Sequence, residues 1–141
     1  MTEVRELSED YIDAVTELDA RIFPGSPWGR EAFRNNIIND YDYPVVALDD
    51  GRAVGYGIIR QIDAGEILLI GVSPDERRKG IGRMITDELL SWANRGENIF
   101  LEVREGNTAA RRLYESAGFA EIARRKRYYK DPVEDAVIMM C

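Results

Sequence analysis

Histidine is absent from the 141 residues, and cysteine occurs once, at the last position, Cys141. Without histidine there is no Ser-His or Cys-His triad and none of the usual His-ligated zinc sites, so no metal is expected. A single cysteine cannot close an intramolecular disulfide, which fits a reducing compartment. Long apolar runs are missing too. No window approaches a membrane span, and the acid-rich start from Met1 to Ala20 lacks the apolar stretch of a secretory signal, so a cytoplasmic protein with no membrane partner is expected. Positive charge is the scarcer sign, with 19 Lys and Arg against 26 Asp and Glu and a net charge of −7. Such a field repels nucleic-acid phosphate at long range and favours a cationic acceptor, an amine or a basic peptide. Nucleic acid is not an expected partner.

What is present suits one folded unit. The hydrophobic share is 45% and the charged share 32%, as in ordinary globular proteins, and no repeat, low-complexity tract or Pro/Gly/Ser linker divides the chain. One domain spanning residues 1–141 is expected. Residues 2–6 read as a strand. Ser8 is placed to cap a helix whose apolar positions Tyr11, Ile12, Val15, Leu18 and Ile22 follow the helical period. Pro24-Gly25-Ser26-Pro27 breaks it. A short second helix carries Ala32, Phe33 and Ile37 on one side. Tyr43–Leu48 and Ala53–Gln61 form a hairpin about Asp49-Asp50-Gly51. Glu66–Val72 is nearly all apolar, as in a strand buried on both faces, and Pro74 ends it.

Ile81, Met84, Ile85, Leu89 and Trp92 mark one face of a long helix. Ile99–Val103 is the next strand. Asn107 starts a helix that Gly118 stops in the position of a left-handed cap. Phe119 onward reads as two strands around Asp131-Pro132. The order β-α-α-β-β-β-α-β-α-β-β predicts an α/β (α+β) class, a mixed sheet covered by helices.

The most informative stretch runs from Val72 through Arg77-Arg78-Lys79-Gly80-Ile81-Gly82. A strand enters a basic turn with two glycines, and the turn enters a helix. Amides at a helix start are unpaired and the dipole there favours an anion, so the chemistry suits a pyrophosphate. A P-loop would need Gly-Lys followed by Ser or Thr, which is missing. A dinucleotide fingerprint would need a third glycine where Ile85 stands. A solvated loop is the plain alternative. Gly71, inside an apolar strand, permits either a bulge, a close ligand approach or tight packing.

Glu102 lies in the apolar strand Ile99–Val103. Buried there its carboxyl would hold its proton more tightly, toward the range of a general base; at a strand end it would simply face water. Asn107, Arg111 and Tyr114 share one helix face, although Asn107 also suits an N-cap and Tyr114 a core position.

These segments together resemble GNAT superfamily acetyltransferases, and within them the RimI-like enzymes that acetylate protein N-termini. Arg77-Arg78-Lys79-Gly80-Ile81-Gly82 looks like the family's Gln/Arg-x-x-Gly-x-Gly/Ala signature. Leu101-Glu102-Val103-Arg104, Asn107-x-x-Ala110 and Leu113-Tyr114-Glu115-Ser116-x-Gly118-Phe119 follow in the family's order. Pro27-Trp28 with Phe33, Arg124-Arg125-x-x-Tyr128-Tyr129 and Glu134-Asp135-Ala136-x-Ile138-Met139 extend the likeness over almost the whole chain. Two departures are Gly29, where relatives often have serine, and Arg77, where glutamine is commoner.

The resemblance implies a GNAT-type, mostly antiparallel sheet and acetyl-CoA as cosubstrate. By position, the amides of residues 77–82 would hold the pyrophosphate, and the bulged strand Ile70-Gly71-Val72 would bind the acetyl carbonyl and pantetheine. Asn107 would hydrogen-bond the cofactor, Glu102 would be the general base, and Tyr114 the acid at the departing sulfur. Trp28, Tyr128 and Tyr129 would border the acceptor, a protein or peptide N-terminus, with the N-terminal alanine of a ribosomal protein as the implied case. Other readings are a GNAT enzyme acting on a small amine or lysine side chain, and a CoA-binding module without turnover. The tail Arg124-Arg125-Lys126-Arg127-Tyr128-Tyr129-Lys130 could stack on RNA, but a solvated strand face fits the acidic chain better.

Overall fold

The computed structural model describes residues 1–93 and 98–141. Among these residues seven strands form one sheet: β1 (Thr2–Glu6), β2 (Asp42–Asp49), β3 (Arg52–Gln61), β4 (Gly65–Val72), β5 (Ile99–Arg104), β6 (Ala120–Tyr129) and β7 (Glu134–Met140). Their spatial order is β1-β2-β3-β4-β5-β7-β6. All neighbours are antiparallel except β4 and β5. Among the described residues four α-helices cover it: α1 (Ile12–Ile22), α2 (Arg30–Ile38), α3 (Ile81–Trp92) and α4 (Thr108–Ser116).

Two cores explain the layers. On one face Val15, Leu18 and Phe33 of α1 and α2 pack on Val46, Leu48, Tyr56 and Ile58. On the other, Ile81, Ile85 and Leu89 of α3 and Tyr114 of α4 pack on Val45, Ile59, Leu101 and Val103. Tyr56 and Ile59, three residues apart on β3, reach opposite cores, so the central sheet is sealed on both faces.

The element order read from the sequence holds, with strand ends moved by a residue. Three local expectations do not. Ser8 makes no side-chain cap: the chain turns through a short 3₁₀ segment, Glu9–Tyr11, before α1 begins at Ile12, and the Ser8 carbonyl instead accepts from the Tyr11 N–H at 3.1 Å. On α3 the buried stripe is Ile81, Ile85, Thr86 and Leu89, while Met84 and Trp92 stay exposed at its edge. Trp92 stacks on Tyr43, with ring centroids 5.2 Å apart, which gives its ring a partner outside the core. Finally, β4 is not buried on both faces throughout, since Leu68, Leu69 and Ile70 are only partly covered. The reason lies at its border with β5.

Candidate active site

β4 and β5 pair only at Gly65 with Ile99 and Glu66 with Phe100, and then part. Beyond that point β4 has no strand partner on this edge among the described residues, so its amides and carbonyls face a cleft of about 400 Å³. A ligand can use that edge as a missing strand would. The cleft is lined by Ile70 from β4, Glu102 and Arg104 from β5, Asn107 and Tyr114 around α4, Tyr129 from β6, and Asp19 and Trp28 from the α1–α2 region. Residues far apart in the chain therefore share one space, set there by the splay of two strands.

Glu102 points out of the α3–α4 core by strand alternation and is half-buried. Arg125 on β6 pairs with it at 3.2 Å. Tyr114 is 8% exposed and its ring meets Phe119 edge-on at 5.9 Å. Burial, with Tyr129 nearby, pushes its hydroxyl up to about 12. It stays protonated at neutral pH and is a hydrogen-bond donor rather than a ready acid. Burial and then the charge of Glu102 also raise Tyr129. Tyr128 does not line the cleft; its ring lies 5.5 Å from the Arg125 guanidinium, half exposed. Asn107 caps α4 by accepting from the Ala110 N–H at 3.2 Å, which leaves its amide nitrogen unused by the cap.

The turn before α3 takes a conformation in which backbone amides are free to meet an anion. Gly80 has φ +81° in the left-handed region, and Arg78 has φ +65°. The first helical bond runs from the Met84 N–H to the Gly80 carbonyl at 3.0 Å, so the preceding amides point out of the helix end. A side chain at residue 80 would strain this turn, whereas Gly82 serves packing: a Cβ there would meet Leu113 at 3.0 Å. The three cations differ. Lys79 pairs with Glu76 at 2.8 Å, and Glu76 also accepts from Arg52 at 2.9 Å, so the lysine charge is compensated. Those two hydrogen bonds hold Glu76 below its ordinary range. Arg77 donates to the Val72 carbonyl at 3.3 Å, and Arg78 has no acidic partner among the described residues.

Gly71 is a packing glycine: a Cβ would come within 2.5 Å of the Tyr56 ring. The bulge expected around it occurs at Leu68 instead, where Ile58 pairs Leu69 and Ile59 pairs Ile67, leaving Leu68 extra. Sequence reading missed Asp19, Tyr56 and Arg125. A signal existed for Asp19, which stands four residues after Val15 on the apolar stripe of α1 and is fully buried. For Arg125 there was none, because its pairing with Glu102 depends on strand register.

The family model for the GNAT acetyltransferases matches residues 12–119. This chain belongs to the GNAT acetyltransferase family. A Mycobacterium tuberculosis protein named N-alpha-acetyltransferase RimI is 39% identical over 129 residues, covering 87% of this chain and 81% of the relative. The Escherichia coli ribosomal protein bS18 alanine N-acetyltransferase is 36% identical over 118 residues, 80% of this chain and 79% of its own. The crystal structure of the ribosomal-protein-S18-alanine N-acetyltransferase from Escherichia coli superposes with a TM-score of 0.85 at 32% identity, over 99% of this chain and 92% of that one. Arabidopsis thaliana NAA60 bound to a bisubstrate analogue shares the fold at 17% identity, with a TM-score of 0.86 over 100% and 97% of the chains.

GNAT enzymes take their acetyl group from acetyl-CoA, and the residues present fit it. The outward amides at α3 suit a pyrophosphate, and the unpaired edge of β4 suits an extended chain bearing amides. No helix among the described residues is long and apolar enough to cross a membrane. No group of three or more His, Cys, Asp or Glu placed to hold a metal occurs among them either.

Proposed function

We propose that residues 1–141 act as one acetyltransferase domain that transfers the acetyl group of acetyl-CoA to the N-terminal α-amine of a protein, with a ribosomal-protein alanine as the preferred acceptor in the cytoplasm. The observation that carries this reading is the convergence of Glu102, Asn107, Tyr114, Trp28 and Tyr129 on one cleft between β4 and β5. The relatives named for bS18 alanine acetylation support the choice of acceptor.

Acetyl-CoA supplies a thioester-activated acetyl group. The amides of residues 77–82 hold its pyrophosphate, with Arg78 adding charge, and β4 from Ile70 to Val72 aligns the acyl arm. Glu102 receives the proton that the amine loses as its nitrogen bonds to the acyl carbon. The C–S bond breaks, and Tyr114 donates a hydrogen bond to the sulfur that takes the electron pair. A backbone N–H near Val72 stabilises the oxygen as it gains charge. The acceptor's pKa suits this base: an α-amine near ~8 is partly neutral at pH 7, whereas a lysine near ~10.4 demands much more.

The test is CoA release on two peptides, one with a free N-terminal alanine and one N-blocked with an internal lysine. Acetylation at the α-amine alone, located by mass spectrometry, is expected. Modification of the lysine instead moves the acceptor assignment to side chains. No turnover on either removes the peptide reading.

A further inference from the structure

Six polar side chains are buried among the described residues: Asp19, Asn36, Asp42, Ser73, Glu76 and Thr86. Burying such groups is costly unless each finds partners, so where their hydrogen bonds lead is informative. Glu76 serves the phosphate turn, and Thr86 bonds within α3 to the Gly82 carbonyl. Asp19, Asn36 and Asp42 all lead to Trp28.

Asp19 accepts from the Trp28 backbone N–H and, on its other oxygen, from the Tyr56 hydroxyl, each at 2.5 Å. Tyr56 is itself buried, with its ring over Gly71 of β4. The Trp28 indole N–H donates to Asn36 Oδ1 at 2.9 Å, and the Asn36 amide donates to Asp42 Oδ2 at 2.9 Å. Arg60 closes the chain with two bonds to Asp42, at 2.7 and 3.0 Å. Backbone and side chain of one loop residue are thus tied from two directions to α1, α2, β2 and β3. Trp28 itself remains 37% exposed and lines the cleft.

Apolar packing would stabilise this region at least as well, since buried charge pairs seldom improve on well-packed hydrophobic groups. What such a network adds is a fixed position. The loop needs one: it follows Pro24-Gly25-Ser26-Pro27, and Gly29 has φ +93°. We infer that Asp19, Asn36 and Asp42 are positioning residues that hold Trp28 as a preformed wall for the acceptor, so that the loop loses no freedom when the acceptor binds. This rests on the acceptor reading above.

The experiment uses the full chain carrying Trp92→Phe, which leaves Trp28 as the remaining one of two tryptophans. Asn36→Ala frees the indole N–H and is expected to red-shift Trp28 emission and increase its quenching by acrylamide. The acceptor-peptide KM should rise about fivefold, the equivalent of one net hydrogen bond, with kcat and the acetyl-CoA KM nearly unchanged. Asp19→Asn should move the same quantities further; if it fails to fold, Asn36→Ala carries the test. Tyr43→Phe, which removes a part-buried hydrogen bond to Glu88 on the opposite face, is the control and should move neither emission nor peptide KM. A Trp28 shift with unchanged peptide KM, or a parallel rise in both KM values, overturns the inference. A parent protein that acetylates no peptide overturns the acceptor reading instead, and the acceptor role falls with it.

Discussion

One run of consecutive residues, Arg77 to Gly82, makes the turn into α3, and what it offers a ligand is backbone amides. The cleft between β4 and β5 is lined by Asp19, Trp28, Arg104 and Tyr129, and what it offers is side chains drawn from distant segments. Arg104 shows the style of that lining. It donates to the Lys130 and Pro132 carbonyls, pairs with Glu134, and sits 4.4 Å from the centre of the Tyr129 ring. The first construction depends on φ values at a few positions, the second on whether buried polar partners find one another. A ligand common to many enzymes can be held by local backbone. An acceptor that differs between enzymes is met by side chains that change without disturbing the turn.

Glu102 lines the same cleft, and its loss gives the largest expected effect. Glu102→Gln keeps the shape but has no carboxylate to accept a proton, as the proposed reaction requires. A positioned general base contributes about 10²–10⁴-fold, so kcat should fall within that range while both KM values stay close to wild type. Steady-state kinetics with each substrate varied checks it. A fall below tenfold would give the proton to another acceptor, water included. The same substitution removes the charge facing Arg125, so a changed peptide KM would show that the pair orients the acceptor wall as well.

Gly80→Val is the next largest and separates the two regions. A branched side chain at φ +81° costs about 1–2 kcal/mol, which corresponds to roughly 5–30-fold in acetyl-CoA affinity if the strain falls on the turn. Isothermal titration with CoA and the acetyl-CoA KM should both report it, while the peptide KM remains unchanged. Equal loss for both substrates would mean that the two regions are coupled through α3.

The contrast also explains what could be read in advance. Helices and strands with strong periodicity were legible, as were the glycine turn into α3 and the Asn107 cap, because their causes lie within a few residues. Glu102 and Tyr114 were legible as candidates, and the structure brings them to one cleft. That cleft was not legible, since it arises where β4 and β5 stop pairing after Glu66 and Phe100. The placing of the bulge at Leu68 rather than near Gly71 depends on β3 register. Gly71 itself answers to Tyr56, fifteen residues earlier in sequence and adjacent across the strand pair. Asp19 offered an anomaly, an acid on an apolar stripe, whose meaning needed its two donors in view.

The smallest effect at neutral pH is expected from the far end of the Trp28 network, and it appears only in acid. Burial disfavours the Asp42 carboxylate, but the hydrogen bonds from Arg60 and Asn36 and the charge of Arg60 outweigh it, and its pKa lies below the ordinary 3.8. A carboxyl depressed in the folded state contributes stability that is fully present above 3.8 and lost as pH falls through the lower folded value, because the unfolded chain binds the proton first. Glu76 and Glu121 are depressed too, so wild type alone cannot isolate the contribution. Urea midpoints measured from pH 7 down to pH 2.5 for wild type and Asp42→Asn should differ by a constant at neutral pH and converge in the acid range. If the gap persists to the lowest pH, the carboxylate acts there as a shape for Asn36 and Arg60 to meet, and its charge contributes little. Trp28 emission followed along the same titration distinguishes the cases: a network held by charge releases Trp28 before global unfolding, whereas one held by shape releases it together with the rest of the fold.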